Sequence, residues 1–238
     1  MKPLVMSDEY PWFCEALQVR GYKIIPTKKI ACFLPPEQRH ADMQLLVVDN
    51  TCFSLDDCRD RISGSYPENV RLNCLYFRGT LYGKLSAADA SVLDFCRKNN
   101  IQTVNVKQGY TRCSVLLIGN RAAVTADRGI ADALQKDGAE VLLIAPGHVA
   151  LPGFDCGFIG GAGFCDGSTV YCFGDITRHP DYAKIKALCA KHNSKIEILC
   201  ADKPLTDLGG AVLLRSWYNT NLRESMSLSW TSCEKKNL

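Results

Sequence analysis

His40 and Asp42, in the run His40-Ala41-Asp42-Met43, carry the first chemical signal in this chain. An extended segment sends residues two apart to one face, and an imidazole beside a carboxylate on that face is a proton carrier with its orienting partner. The bland alternative is a histidine in a solvated loop after Pro35 and Pro36, or one that caps the following strand. The second signal is Cys113 in Lys107-Gln108-Gly109-Tyr110-Thr111-Arg112-Cys113-Ser114. Glycine and turn residues precede it and an apolar strand follows. Lys107 and Arg112, if aimed at the sulfur, favour the thiolate that a nucleophile needs. The expectation is therefore a Cys113 thiol of depressed pKa; the alternative is a small apolar packing residue.

Other chemistry-bearing types read as structural. Gly157 to Gly163 lacks the Gly-x-Gly-x-x-Gly spacing between a strand and a helix, which excludes a dinucleotide loop. Its glycines suit backbones that must approach closely. Cys165 stands beside Asp166-Gly167, a hairpin-turn pair. His148 reads as a loop residue, His179 as a helix-start residue before Pro180, and His192 as a helix C-terminal residue favoured by the dipole. The thirteen cysteines include no Cys-x-x-Cys pair and no paired-histidine spacing, so neither structural zinc nor any other cofactor is expected. Their odd number and apolar positions point to reduced thiols and a cytoplasmic setting.

The elements that position these residues arise from an ordinary composition. Of 238 residues, 47% are hydrophobic, 22% charged and 9% aromatic, which excludes disordered, collagenous and coiled-coil classes. The net charge of +3 is spread without a basic run, so nucleic acid is not an expected partner. The longest apolar runs, Val141 to Ala145 and Cys113 to Ile118, are strand-length against the ~20 residues a membrane span takes. No membrane association and no export signal are expected.

A weak repeat organises the chain. A helical pattern from Ser7 through Phe13 and Leu17 to Gly21 leads to a strand at Lys23 to Pro26 and another from His40 to Val48. A second helix has Ser86 as its N-cap and Val92, Leu93 and Cys96 on its apolar face; strands at Ile101 to Val106 and Ser114 to Ile118 follow. A third begins at Asp127 and precedes the strand Val141 to Ile144 and the glycine-rich corner. A fourth follows Pro180 and precedes Ile196 to Leu199 and Asp207 to Leu214. A poorer copy places a helix over Asp56 to Ile62 and strands at Arg71 to Phe77 and Thr80 to Leu85. Five units of about 45 residues suggest cyclic repetition, with helices outside and the glycine-rich corners near one axis. The competing arrangement is an open α/β sheet. No linker interrupts the pattern, so residues 1–238 are expected to form a single domain, with residues 225–238 as a polar tail.

At His40-Ala41-Asp42-Met43, Gly157-Phe158-Ile159-Gly160-Gly161 and Asp207-Leu208-Gly209-Gly210 the sequence resembles the pentein superfamily, the guanidino-group-modifying enzyme fold, and looks most like an uncharacterised bacterial branch of it. The resemblance spans nearly the whole chain. It implies a five-fold pseudosymmetric α/β propeller and a cationic guanidino or amidino small molecule as partner. Enzymes of that fold attack the guanidinium carbon with a cysteine, use a His-x-Asp element beside it, and hold the planar cation with carboxylates. By this resemblance His40 and Asp42 match the His-x-Asp element, and Asp207, Asp155 and Gln108 are candidate substrate contacts. Asp207 and Asp155 read equally as turn aspartates bonded to their own backbone. The family nucleophile follows a glycine-rich turn near the C-terminus; here Gly209-Gly210 runs into Ala211, Val212 and Leu213. The late Cys233 lies in a polar stretch, which leaves Cys113 as the better candidate.

Two functions follow from these residues. One is a cysteine-dependent hydrolase or amidinotransferase; the other is a non-catalytic binding protein, since the fold also supplies a translation factor and fold does not fix function. Because the cysteine spacing follows packing positions, thiol counting on anaerobically purified, denatured, unreduced protein should return all thirteen cysteines as free thiols. A count of only a few would show a disulfide framework instead.

Overall fold

The computed structural model describes residues 1–58 and 63–214. The expected tail at 225–238, and Cys233 within it, lie outside the described residues. The chain opens with β1 (Lys2–Met6), a strand the repeat pattern did not single out. α1 (Pro11–Gln18) starts on Pro11, whose fixed φ suits a first helical position, and buries Phe13 and Leu17 one turn apart. It returns the chain to β2 (Tyr22–Pro26), parallel to β1. A one-turn helix α2 (Ala41–Gln44) precedes the antiparallel hairpin of β3 (Leu45–Val48) and β4 (Thr51–Ser54).

The next three sheets share one order: an antiparallel hairpin, a helix, then a strand parallel to the hairpin's second strand. The first has β5 (Leu75–Phe77), β6 (Thr80–Gly83), α3 (Ala90–Lys98) and β7 (Gln102–Asn105). The second has β8 (Val115–Ile118), β9 (Ala122–Thr125), α4 (Arg128–Lys136) and β10 (Glu140–Leu143). The third has β11 (Gly163–Asp166), β12 (Thr169–Asp175), α5 (Tyr182–Lys191) and β13 (Lys195–Pro204). Finally β14 (Val212–Leu213) pairs antiparallel with β1, Leu4 opposite Leu213, so the β14-β1-β2 sheet repeats that order with strands from both ends of the described chain.

This mixed α/β architecture of small sheets has its apolar residues between sheets as well as under helices. Val5, Leu45 and Leu214 join the sheet of β1 to that of β3. Leu46, Leu55, Leu72 and Leu81 join the β3 and β5 sheets. Leu75 and Tyr82 meet Val115 and Ile130; Leu116 and Ile118 meet Val170 and Ile185; Phe173 and Leu199 meet Leu4 and Phe13. Each side chain of this size contributes about 1.5–3 kcal/mol on burial, which makes the sheets mutually dependent. Among the described residues no helix is long and apolar enough to cross a membrane.

Several expected elements differ. Ala41–Gln44 is helical where a strand was expected to start at His40, because the Asp42 N–H bonds the Gly209 carbonyl at 3.1 Å instead of a strand partner. The expected helix over 56–62 is a 3-10 turn, Leu55–Asp57, among the described residues; the Asp57 carboxylate accepts from the Ser54 N–H and hydroxyl. A 3-10 turn at Glu68–Val70 shortens the strand expected from Arg71, and of the strand expected over 207–214 only β14 is extended. Asp127 caps α4 as expected, accepting from the Ile130 N–H at 2.8 Å. The N-cap of α3 is Asp89, not Ser86: its carboxylate accepts from the Ser91 N–H at 2.9 Å, while Ser86 is exposed in the preceding turn.

Urea unfolding should therefore find Asp89→Ala destabilised by about 1 kcal/mol or more, the usual cost of a lost cap. Ser86→Ala should stay within about 0.5 kcal/mol. The reverse order would return the cap to Ser86.

Candidate functional site

The segments that lead into β3, β5, β8, β11 and β14 converge. Two residues before each strand stand Met43, Asn73, Cys113, Gly161 and Gly210. The Asp42 N–H donates to Gly209 O at 3.1 Å, the Gly210 N–H to Gly161 O at 2.8 Å, and the Gly161 N–H to Cys113 O at 3.0 Å. Asn73 Oδ1 accepts from the Arg112 and Cys113 N–H groups at 2.8 and 3.2 Å, and Asn73 Nδ2 donates to Asp42 O at 3.2 Å. The bonds return to the segment where they began. Glycine is required where these backbones cross: a Cβ on Gly161 would lie 1.9 Å from Asp207 Oδ1, and one on Gly209, whose φ is +79°, 2.4 Å from His40 Cβ.

Four chemistry-bearing side chains are enclosed there, with exposures of 3% for His40, 2% for Asp42, 2% for Cys113 and 1% for Asp207. Asp207 is held by the Phe158 N–H on Oδ2 at 2.8 Å and the Gly209 N–H on Oδ1 at 2.9 Å, and His40 Nδ1 is 3.9 Å from Oδ1. Phe158 also ends a stack of rings running through Tyr110 to Tyr66, at centroid spacings of 5.7 and 5.9 Å. Asp42 differs from Asp207. Among the described residues neither of its oxygens has a hydrogen-bond partner, although the carboxylate lies beside the Cys113 thiol. Burial pushes its pKa from 3.8 up to about 6, against the favourable field of His40.

The structure thus brings His40, Asp42, Cys113 and Asp207 together. Asp155 is exposed in its loop, and half-buried Gln108 accepts from the Tyr110 N–H at 3.1 Å and lines a separate cavity of about 190 Å³ with His148 and His179. The environment of Cys113 reverses the sequence-based expectation. Burial, then the Asp42 and Asp207 charges, hold its thiol well above the ordinary value, because each disfavours the thiolate. The cations that were to acidify it face elsewhere: Lys107 is exposed and Arg112 Nη1 donates to Val115 O at 3.1 Å. His40 and Asp42 share the cluster without sharing one extended strand, since Asp42 sits in α2. Asn73, which donates to Cys113 Sγ at 2.9 Å, was missed. Its signal was positional: it precedes its strand by the same two residues as Cys113.

Two of the remaining three histidines are tied to neighbouring groups. His179 Nδ1 accepts from the Asp181 N–H at 3.1 Å, and His192 Nε2 meets Glu140 at 2.9 Å near the end of α5. Among the described residues no group of three or more His, Cys, Asp or Glu side chains is placed to hold a metal ion.

The raised pKa of Asp42 gives a signed expectation. Between about pH 4 and 6 the folded protein keeps a proton that the unfolded chain releases, so this group lowers stability as pH rises through that window. Asp42→Asn should remove that decline and gain on the order of 2–3 kcal/mol at pH 7–8. Thermal unfolding of both proteins from pH 4 to 8 checks it; parallel curves would place the proton elsewhere.

In fold, the chain is similar to a dimethylarginine dimethylaminohydrolase in its adduct with S-methyl-L-thiocitrulline, with a TM-score of 0.55, 8% identity, and 90% of this chain covering 99% of that one. It is also similar to DDAH from Pseudomonas aeruginosa, a cysteine-to-serine mutant complexed with citrulline, at a TM-score of 0.52 and 9% identity over the same shares. A third similar structure is a dimethylarginine dimethylaminohydrolase adduct with 4-chloro-2-hydroxymethylpyridine, at a TM-score of 0.51, 9% identity and the same shares. At such identities the likeness is one of fold. No curated protein matches the sequence. Residues 50–212 match the model of a family of unknown function, DUF6873, and the chain belongs to that family.

Proposed function

We infer that the buried cluster receives the planar cation of a guanidino or amidino small molecule, and that the protein is a cysteine-dependent hydrolase or amidinotransferase built on a closed five-unit pentein ring. The circuit of hydrogen bonds through five segments, the apolar clusters between successive sheets and the pairing of β14 with β1 support the ring. The observation that carries the function is Asp42: a carboxylate with both oxygens buried and unpartnered, beside a cysteine thiol and a second buried carboxylate. A buried anion without donors is costly, and a guanidinium supplies paired N–H donors together with the missing positive charge.

Cation entry changes the thiol's electrostatics. The two carboxylates that now oppose the Cys113 thiolate would be neutralised, and the positive charge would favour it. His40 takes the thiol proton as the sulfur adds to the guanidinium carbon, then gives it to the leaving amine as the C–N bond breaks. Water, giving a proton to His40, adds to the S-amidino carbon; the C–S bond then breaks with its electrons on sulfur, and His40 returns that proton to restore the thiol. An amine in place of that water makes the reaction a transfer. The second reading is capture of the cation without turnover, favoured by the enclosed, protonated thiol and by the absence of a cysteine in Asp207-Leu208-Gly209-Gly210.

A panel of guanidino and amidino compounds, followed by thermal shift and by mass spectrometry, tests both. At least one cation should stabilise the wild type, with affinity at least tenfold weaker in Asp42→Asn. Turnover requires an S-amidino adduct on Cys113, loss of product in Cys113→Ser and a slowing of roughly a hundredfold in His40→Ala. Stabilisation without adduct or product would establish the binding reading; no stabilisation by any cation would refute both.

A further inference from the structure

A second compartment lies beside the buried cluster. It is a cavity of about 690 Å³, within the range that encloses small organic ligands. The first strands of the hairpins, together with β14, form its wall, each with a half-buried side chain: Val47, Tyr76, Leu117, Cys165 and Val212. It runs from buried backbone near Cys74 and Ala211 to the exposed hairpin turns at 49–50, 119–120 and 167. Two charged residues line it. Asp49 is exposed on a turn, whereas Arg112 is half-buried between β5 and β8.

Arg112 is the chemical feature that requires an explanation. One guanidinium nitrogen, Nη1, donates to Val115 O at 3.1 Å; among the described residues its other N–H groups have no partner. A guanidinium carries five donors in a planar fork suited to a carboxylate. Half-buried beside apolar side chains, Arg112 has only partial hydration. Although the Asp42 charge lies within its field, no carboxylate is hydrogen-bonded to its unused donors among the described residues. The Tyr76 phenol adds a further possible donor to the same wall.

We propose that this cavity binds a small organic anion with an apolar body, its carboxylate on Arg112 and its hydrocarbon against the strand wall. The site is separate from the cluster of Asp42 and Asp207 and takes the opposite charge. The half-buried Val47, Leu117 and Val212 set it apart from a site for inorganic anions, because an ion gains nothing from such side chains.

Octanoate, octylammonium and inorganic phosphate serve as probes on the full chain, read by calorimetric titration. Octanoate should bind saturably and slow alkylation of Cys165, which lines the cavity, as measured by peptide mass spectrometry. Arg112→Gln should weaken octanoate at least tenfold, and Leu117→Trp, which fills the cavity without touching the cation, should abolish its binding. Circular dichroism verifies each fold, and either variant alone is sufficient if the other fails to fold. The proposal is overturned if octanoate does not bind, if octylammonium or phosphate binds as tightly, if a folded variant retains wild-type affinity, or if Cys165 is not protected.

Discussion

The circuit of hydrogen bonds among the five segments before β3, β5, β8, β11 and β14 is the constraint on which the rest depends. Backbones that bond across such a junction have no room for ordinary side chains. Gly160 makes this concrete: a Cβ there would lie 2.5 Å or less from the carbonyl oxygens of Val115 and Cys113. The two-stranded β3-β4 sheet is marginal by itself, and the three-stranded sheets share their apolar faces with neighbouring sheets. Central bonding and the apolar clusters between sheets therefore act as one cooperative unit.

The same junction explains the unusual electrostatics. Four of its five crossings include a backbone-to-backbone bond, and the Asn73 side-chain amide bridges its two neighbours, accepting from Arg112 and Cys113 on one side and donating to the Asp42 carbonyl on the other. Asn73 thereby ties the Cys113 backbone to the Asp42 carbonyl, while no N–H or hydroxyl among the described residues donates to the Asp42 carboxylate, which lies beside the Cys113 thiol. Asp207 shows the contrasting solution, with two backbone N–H groups fixing its oxygens. One carboxylate is satisfied by the fold and the other is not. A local cost of this kind, in a protein otherwise consistent in its packing, marks the place where function rather than folding is expected to have set the residue.

Legibility in the sequence followed the range of the interactions. Helices with periodic apolar faces and a strong cap, such as α4 with Asp127, could be read locally. So could the residue types of the junction, because His40, Asp42, Cys113 and Asp207 each stand near a corner. What could not be read was set by contacts across the chain. Ala41–Gln44 is helical because of Gly209, more than 160 residues away, and the Cys113 thiol is opposed by carboxylates from two other segments rather than assisted by its neighbours in sequence. The strand β1 was hidden for a similar reason: its partners are β2 and the distant β14.

One peptide separates the two compartments. Arg112 lines the strand-walled cavity, Cys113 is enclosed in the cluster, and both N–H groups end on the single side-chain oxygen of Asn73. A displacement of Arg112 toward an anion cannot leave that shared acceptor unaffected, because the two donors approach it from consecutive residues. The Arg112 charge also contributes to the field at Asp42, where it favours the carboxylate. An anion paired with Arg112 would offset that positive charge, which otherwise repels a cation in the cluster. If both proposed ligands bind, their opposite charges lie in adjacent compartments and attract, so by linkage each would raise the affinity for the other by the same factor.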